Sequence, residues 1–404
     1  MTATATQAPE LSFSDTFYTS LFDVADGERI RTCLQCGNCS GVCPFGYLMG
    51  FPPGRMIAHL RAGRFENVLE SDSVWMCVSC YACTTACPKE IPLTPGLLTR
   101  TKEEMLLAGN VPTELQDALM NSQRYGNPMG ESPRKRSLWT KGLDFEVPIF
   151  KEANRHVNVL WFVSDYPSYH PRVQLTTQAM AKILHILGVD FAILGPEENS
   201  DGDSQRLAGE RGLFEMLAEK NGKAFSKYDF DTIITSDPHA YNAFKNEYPT
   251  LGISYPVQHF TEYVAERIDE LIPHLEENGV RRVTYHDPCY LGRANGVYDA
   301  PRTLLKAIPG VELVEMPHSR STSLCCGGGG GGMWLDGFQW EKAHVRLSEW
   351  RIQEAVNVNA DILAVACPYE PPRFEDAAKM VQGAGRLVVK DIAELLADSI
   401  GDMD

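Results

Sequence analysis

From about residue 155 onward, short apolar runs alternate with amphipathic stretches. HVNVLWFVSDY, DFAILGP and DFDTIITSD read as strands, and TTQAMAKILHILG reads as a helix that stops at Gly188. The same order returns in RRVTYHDPCY, PRTLLKAIPG, VELVEMP and DILAVACPYE. Strands separated by helical patterns predict parallel sheets with crossover helices. VSDYPSYHPR around Asp165 is like YHDPCYLGR around Cys289, and TIITSDPHAYNAF is like LAVACPYEPPRF. The pattern therefore predicts an internal duplication, with an α/β half over 155–280 and a second over 281–404.

Before residue 155 the pattern is helical. In PGRMIAHLRAGRFENVLES the apolar positions are Met56, Ile57, Leu60, Val68 and Leu69, with Pro53 at the helix start and Gly63 as an interruption. Residues 11–110 read as one mainly helical domain. Residues 111–154 read as a connector over the surface, with SPRKRS at its most exposed part. Residues 1–10 read as a disordered tail. The fold class expected is α+β and multidomain.

Charge narrows the function. The 404 residues carry a net −16, spread through pairs such as Glu197–Glu198 and Glu276–Glu277. A nucleic-acid binder would show a basic face, so that class is set aside. No run of 18 apolar residues predicts a membrane span. The start, MTATATQAPELSF, has neither a basic nor an apolar signal region. A cytoplasmic protein is expected, reaching the inner face of a membrane only through a partner subunit.

The twelve cysteines fall into three groups of four. CLQCGNCSGVCP supplies Cys33, Cys36, Cys39 and Cys43, and CVSCYACTTACP supplies Cys77, Cys80, Cys83 and Cys87. Both follow C-x2-C-x2-C-x3-C-P, in which three close thiolates wrap one [4Fe–4S] cluster and the fourth reaches the other. Cys33, Cys36, Cys39 and Cys87 would hold one cluster, and Cys77, Cys80, Cys83 and Cys43 the second. Zinc, which favours paired C-x2-C ligands, suits this spacing less well.

The helical spacer between these motifs resembles the helical ferredoxin domain of succinate dehydrogenase iron–sulfur proteins and of the C-type component of heterodisulfide reductase. The third group is Cys289, Cys325–Cys326 followed by Gly327, and Cys367. It is similar to the CCG motif of the reductase's B-type component, and the order of the two domains resembles the fused D-type and K-type proteins. Iron–sulfur components of glycolate and lactate oxidases share the motif. The resemblance implies a third iron–sulfur centre on Cys289, Cys325, Cys326 and Cys367, noncubane in the reductase, that works on a thiol/disulfide substrate. The family's C-x-x-C reads Cys367-Pro368-Tyr369-Glu370 here. Glu370 is thus a ligand, a proton donor or a surface residue, and a five-thiolate cluster is not available.

Three strand ends carrying these cysteines are expected to converge on one sheet edge. The unhindered N–H groups of Gly327, Gly328 and their neighbours would face cluster sulfur or an anion. His286, His318, Arg293 and Arg320 flank the cysteines as candidates for substrate binding or proton supply, His286 foremost. No G-x-G-x-x-G joins a strand to a helix start and no Walker motif is present. Electrons must therefore be exchanged with another subunit, either a flavoprotein or a membrane cytochrome b-type protein. The implied function is an oxidoreductase subunit of the heterodisulfide reductase kind. The alternatives are a pure electron-transfer subunit, or the iron–sulfur subunit of a lactate- or glycolate-type oxidase.

Overall fold

The computed structural model describes residues 13–153 and 155–401, so the expected tail over 1–10 lies outside the described residues. Two four-stranded sheets organise the chain after residue 155, each wholly parallel. The first holds β1 (Val157–Trp161), β2 (Phe191–Ile193), β3 (Phe230–Thr235) and β4 (Val257–His259) in the order β2-β1-β3-β4. The second holds β5 (Arg281–Tyr285), β6 (Val311–Leu313), β7 (Ile362–Val365) and β8 (Val388–Asp391) in the order β6-β5-β7-β8. The same order twice is the duplication that the sequence pattern predicts. The outer strands β4 and β8 are short, and no sequence signal singled them out.

The main helices are α1 (Pro53–Arg61), α2 (Leu98–Leu107), α3 (Thr113–Tyr125), α4 (Pro171–Ile186), α5 (Arg211–Phe225), α6 (Asp299–Ala307), α7 (Leu347–Asn357), α8 (Glu370–Met380) and α9 (Ile392–Asp398). Proline at the first position opens α1 and α4, where its missing N–H costs nothing. Gly188, at φ +59°, follows the end of α4, as expected. Buried Met180, Ile183 and Leu184 of α4 share one core with Val283 and Tyr285 of β5 and Ile392, Leu395 and Leu396 of α9. The two halves are therefore packed back to back rather than strung on a linker. Arg172 at the start of α4 bridges them, donating to Glu394 at 2.7 Å.

The N-terminal helical unit is fused to the rest in the same way. Its core, with Phe17, Ile30, Met56, Trp75 and Leu97, continues into Leu207, Tyr290, Leu335 and Leu347. The connector departs from expectation. Arg136, in the stretch read as most exposed, is 2% exposed and pairs with Asp165 at 2.6 Å and Glu198 at 2.8 Å. A buried carboxylate pair needs a buried cation, and the connector supplies it.

The six-glycine run packs against the turn that carries the second cysteine motif. A Cβ on Gly329 would lie 2.8 Å from the Val78 carbonyl oxygen, and one on Gly330 2.4 Å from Ser79 Oγ. Lys102, fully buried on α2, donates to the carbonyls of Cys77 at 2.8 Å and Gly330 at 3.0 Å and so clamps the two segments together. Gly330 and Gly188 share φ +59°, but only Gly330 meets another segment. Gly188→Ala should cost about 1 kcal/mol, the backbone strain alone. Gly330→Ala should cost about 2–4 kcal/mol, because overpacking is added to that strain. Thermal unfolding of the two variants side by side checks the difference.

Candidate metal centre

All twelve cysteines are free thiols. Cys33, Cys36, Cys39 and Cys87 line one open cavity of about 410 Å³. Burial pushes the Cys39 thiol up, and the neighbouring sulfurs of Cys33 and Cys87 add to the effect. Cys43 points the other way, into a pocket that it shares with Cys77, Cys80 and Cys83 and that Met49, Met56, Met76 and Phe45 close off. Burial, then Cys80 and Cys77, pushes the Cys43 thiol up. Each motif thus gives three sulfurs to one cavity and its fourth to the other.

The third group sits where the strand ends meet. Cys289 follows β5, Cys325 and Cys326 follow β6, and Cys367 follows β7 at the start of α8. All four are buried. The Cys325 thiol is hydrogen-bonded with Cys289, Cys326 and also Cys80 of the second motif, which pushes it well up. Cys80 is drawn down to about 6, first by that hydrogen bond and then, against burial, by the Arg293 guanidinium. Arg293 donates to the carbonyls of Cys80 at 2.8 Å and Ser323 at 2.5 Å, bridging both segments. The glycine run contributes two donors here, Gly327 N–H to Cys325 Sγ at 3.2 Å and Gly328 N–H to Cys326 Sγ at 3.4 Å.

Glu370 is 1% exposed, which removes the surface alternative. Its carboxylate oxygen lies 3.1 Å from His286 Nε2, and His286, Cys326 and Glu370 bring ligand atoms within 4.8 Å of one another. Arg351, fully buried on α7, donates from Nε to His286 Nδ1 at 2.9 Å. A guanidinium only donates, so Nδ1 keeps its lone pair and the imidazole proton resides on Nε2. His286 therefore offers a hydrogen to this corner rather than a ligand atom. Burial pushes the Glu370 carboxyl up to about 7, against the pull of His286. Glu370 Oε2 has no hydrogen-bond partner. A buried orphan oxygen beside two thiols suits a metal centre.

Two domain families account for this arrangement. Residues 29–91 match the 4Fe-4S dicluster domain, and residues 159–245 and 283–369 each match the cysteine-rich CCG domain. The chain carries a 4Fe-4S dicluster domain followed by two CCG domains. It is 38% identical to a probable iron-sulfur-binding oxidoreductase, FadF, of Bacillus subtilis, over 83% of this chain and 47% of that one. It is 33% identical to the EtfAB:quinone oxidoreductase of Syntrophomonas wolfei, over 82% and 47%. It is 29% identical to the D-type component of the dihydromethanophenazine:CoB–CoM heterodisulfide reductase of Methanosarcina barkeri, over 92% and 94%. The chain spans about half the length of the first two and nearly all of the third. Among the described residues, no helix is long and apolar enough to cross a membrane.

In this CCG-domain protein the two halves treat equivalent positions differently. Trp161 pairs with Ile234 as Tyr285 pairs with Ala364. Counting from those pairs, Asp165 stands where Cys289 does, and Asp237 where Cys367 does. Asp201 and Asp203 follow β2 as Cys325 and Cys326 follow β6. All four aspartates are buried; cations or a hydroxyl meet three of them, and Asp201 accepts from the Asp203 N–H at 2.8 Å. Arg136 pairs with Asp165, Arg206 and His239 with Asp203, and Ser164 Oγ donates to Asp237 at 2.7 Å. The first half is thus filled by ion pairs where the second gathers thiols.

Sequence reading missed Arg351, His239 and these aspartates. A buried charge is visible in sequence only through its partner's position, though the D-P against C-P match at Asp237 and Cys367 was a signal. His318 and Arg320 lie on the exposed rim, paired with Glu354 and Asp299.

Glu198 accepts from Arg136 and from the Val163 and Ser164 N–H groups, while burial pushes its carboxyl up to about 7. A carboxyl raised above its unfolded value near 4.5 takes up a proton on folding, so its contribution falls as pH rises from about 4.5 to 7. Arg136→Met should destabilise the protein by about 3–5 kcal/mol at neutral pH, because it strands two buried carboxylates. The loss should shrink as pH is lowered towards 5. Denaturant titrations of both proteins at several pH values check the sign.

Proposed function

We propose that this protein is an iron–sulfur oxidoreductase subunit that carries electrons from a partner protein, past two [4Fe–4S] clusters, to a third centre in the CCG half that interconverts a disulfide and two thiols. The single cavity lined by both Cys80 and Cys325 carries this reading, because the second and third cysteine sets then lie side by side. Cys33, Cys36, Cys39 and Cys87 would hold the first cluster, Cys77, Cys80, Cys83 and Cys43 the second, and Cys289, Cys325, Cys326 and Cys367 the third, with Glu370 as an oxygen ligand. Bound clusters supply one-electron oxidation and reduction. The donor sets fit them: four thiols face each of the first two pockets, and soft sulfur with one orphan carboxylate oxygen makes up the third site.

The chain's own groups shape access to that site. A cavity of about 420 Å³ runs between the N-terminal unit and the second half, reaches both Cys80 and Cys325, and is lined by Arg293, His318, Thr85, Ser321 and Thr322. Arg293 and these hydroxyls suit an anionic thiol or disulfide. One disulfide takes two electrons and two protons to give two thiols, and His286 holds a proton on Nε2 close to Cys326.

The Syntrophomonas relative's name favours a second reading, transfer from a flavoprotein towards quinone through a membrane partner with no substrate of the chain's own. Spectra of the anaerobic protein with and without added disulfides separate the two. Perturbation of the third centre supports the first reading, and no response to any disulfide supports the second.

Iron and sulfide content should come to about twelve each if the third centre holds four irons like the others. Cys326→Ser should remove one electron paramagnetic resonance signal and leave the two ferredoxin-type signals. Glu370→Cys should change that same signal by giving the centre a fifth thiolate. A count near eight would leave the CCG site empty and overturn the proposal.

A further inference from the structure

The first of the three sulfur groups is the most open to the surface. Cys36 is exposed and Cys33, Cys39 and Cys87 are half-buried; in the second group Cys43 and Cys77 are half-buried and Cys80 and Cys83 buried, and all four CCG cysteines are buried. The surface around that opening has a charge unlike the rest of the chain. From Arg29 to Arg64 the sequence carries Arg29, Arg31, Arg55, Arg61 and Arg64 and no acidic residue, in a protein of net −16.

The fold brings some of these cations to the cavity mouth. Arg55 and Lys89 line it, and no carboxylate does. Arg61 donates to the Cys33 carbonyl at 2.9 Å. Arg31, two positions before Cys33, is exposed over the Phe22 ring at 4.4 Å. Glu90, beside Lys89, is paired with Arg29. Inside this collar stands Leu34, 61% exposed between Cys33 and Cys36. An apolar side chain at the centre and arginine around it are the anatomy of a protein interface.

We infer that the surface formed by Leu34, Arg31, Arg55, Arg61 and Lys89 is the docking site for a redox protein whose cofactor edge is ringed by carboxylates. This rests on the proposal that Cys33, Cys36, Cys39 and Cys87 hold a cluster. Electron transfer needs close approach, and the collar surrounds the one exposed cysteine, Cys36. A local field steers an acidic partner there even though the whole molecule repels it, since exposed charges beyond about 8–10 Å are screened.

The sign of the salt effect tests this. The cluster-loaded full chain would be mixed with an acidic flavodoxin, with reduction rate followed by stopped flow and equilibrium binding by calorimetry. Basic cytochrome c serves as the control. Both the rate and the affinity for flavodoxin should fall about tenfold or more between low and high salt, as steered encounters do. Lys89→Glu, at an exposed position with no ion pair among the described residues, should abolish most of that slope, and Arg55→Glu should do the same.

A flavodoxin rate that rises with salt, as a net charge of −16 alone requires, would overturn the inference. So would charge reversal that moves the first cluster's potential but leaves the salt slope intact, since the collar would then serve only the cluster. Sedimentation with phosphatidylglycerol vesicles and no flavodoxin binding would reassign the surface to lipid. Iron content measured on the same samples keeps the outcomes apart. Low iron counts against the cluster assignment, whereas full iron with a rising slope counts against the docking site alone.

Discussion

Everything about the candidate centre depends on the close approach of the glycine run to the 78–80 turn. Gly329 and Gly330 lie so near Val78 and Ser79 that no side chain fits between them. This contact carries Cys80 to Cys325 and joins two cysteine sets that are otherwise parts of different units. Lys102 secures it from behind with hydrogen bonds to both segments. The glycines bring a large entropic cost to folding. What offsets it is a shared core that runs from Phe17 to Leu347 without a break between the N-terminal unit and the second half.

The duplication then divides the work. Both halves present strand ends to the same kind of crevice, and both place reactive or charged residues there. In the second half these are thiols, with Arg293, Arg351 and Glu370 around them. In the first half they are aspartates, and arginines occupy the space against them. Ion pairs of this kind are costly to bury and tolerate little change. The first half also supports the second directly, with Tyr166 and His239 packed against Tyr369.

The fold was legible in the sequence where periodicity speaks. The strands β1, β2, β3, β5, β6 and β7 and the helix α4 stand where their apolar patterns place them. The strands β4 and β8 were missed because their short segments, Val257–His259 and Val388–Asp391, mix polar and charged residues with the apolar ones and form no apolar run. The surface placement of SPRKRS failed at Arg136 for a different reason: a basic run is usually solvated, and the carboxylates that bury this one lie 29 and 62 residues further along the chain.

The spacing of C-x2-C-x2-C-x3-C-P was enough by itself to pair each fourth cysteine with the opposite motif, because short chain segments restrict which sulfurs can share a pocket. The CCG motif likewise named its four cysteines and showed Glu370 in a cysteine's place. What the sequence left open, the packing decided. It buried Glu370 beside His286, turned the His286 proton towards Nε2 through Arg351, and set Cys80 against Cys325. It also gathered scattered arginines into a collar around Cys33 and Cys36. These are contacts between residues far apart in the chain, and their geometry follows from how the two sheets and the helical unit share a core, which no local pattern encodes.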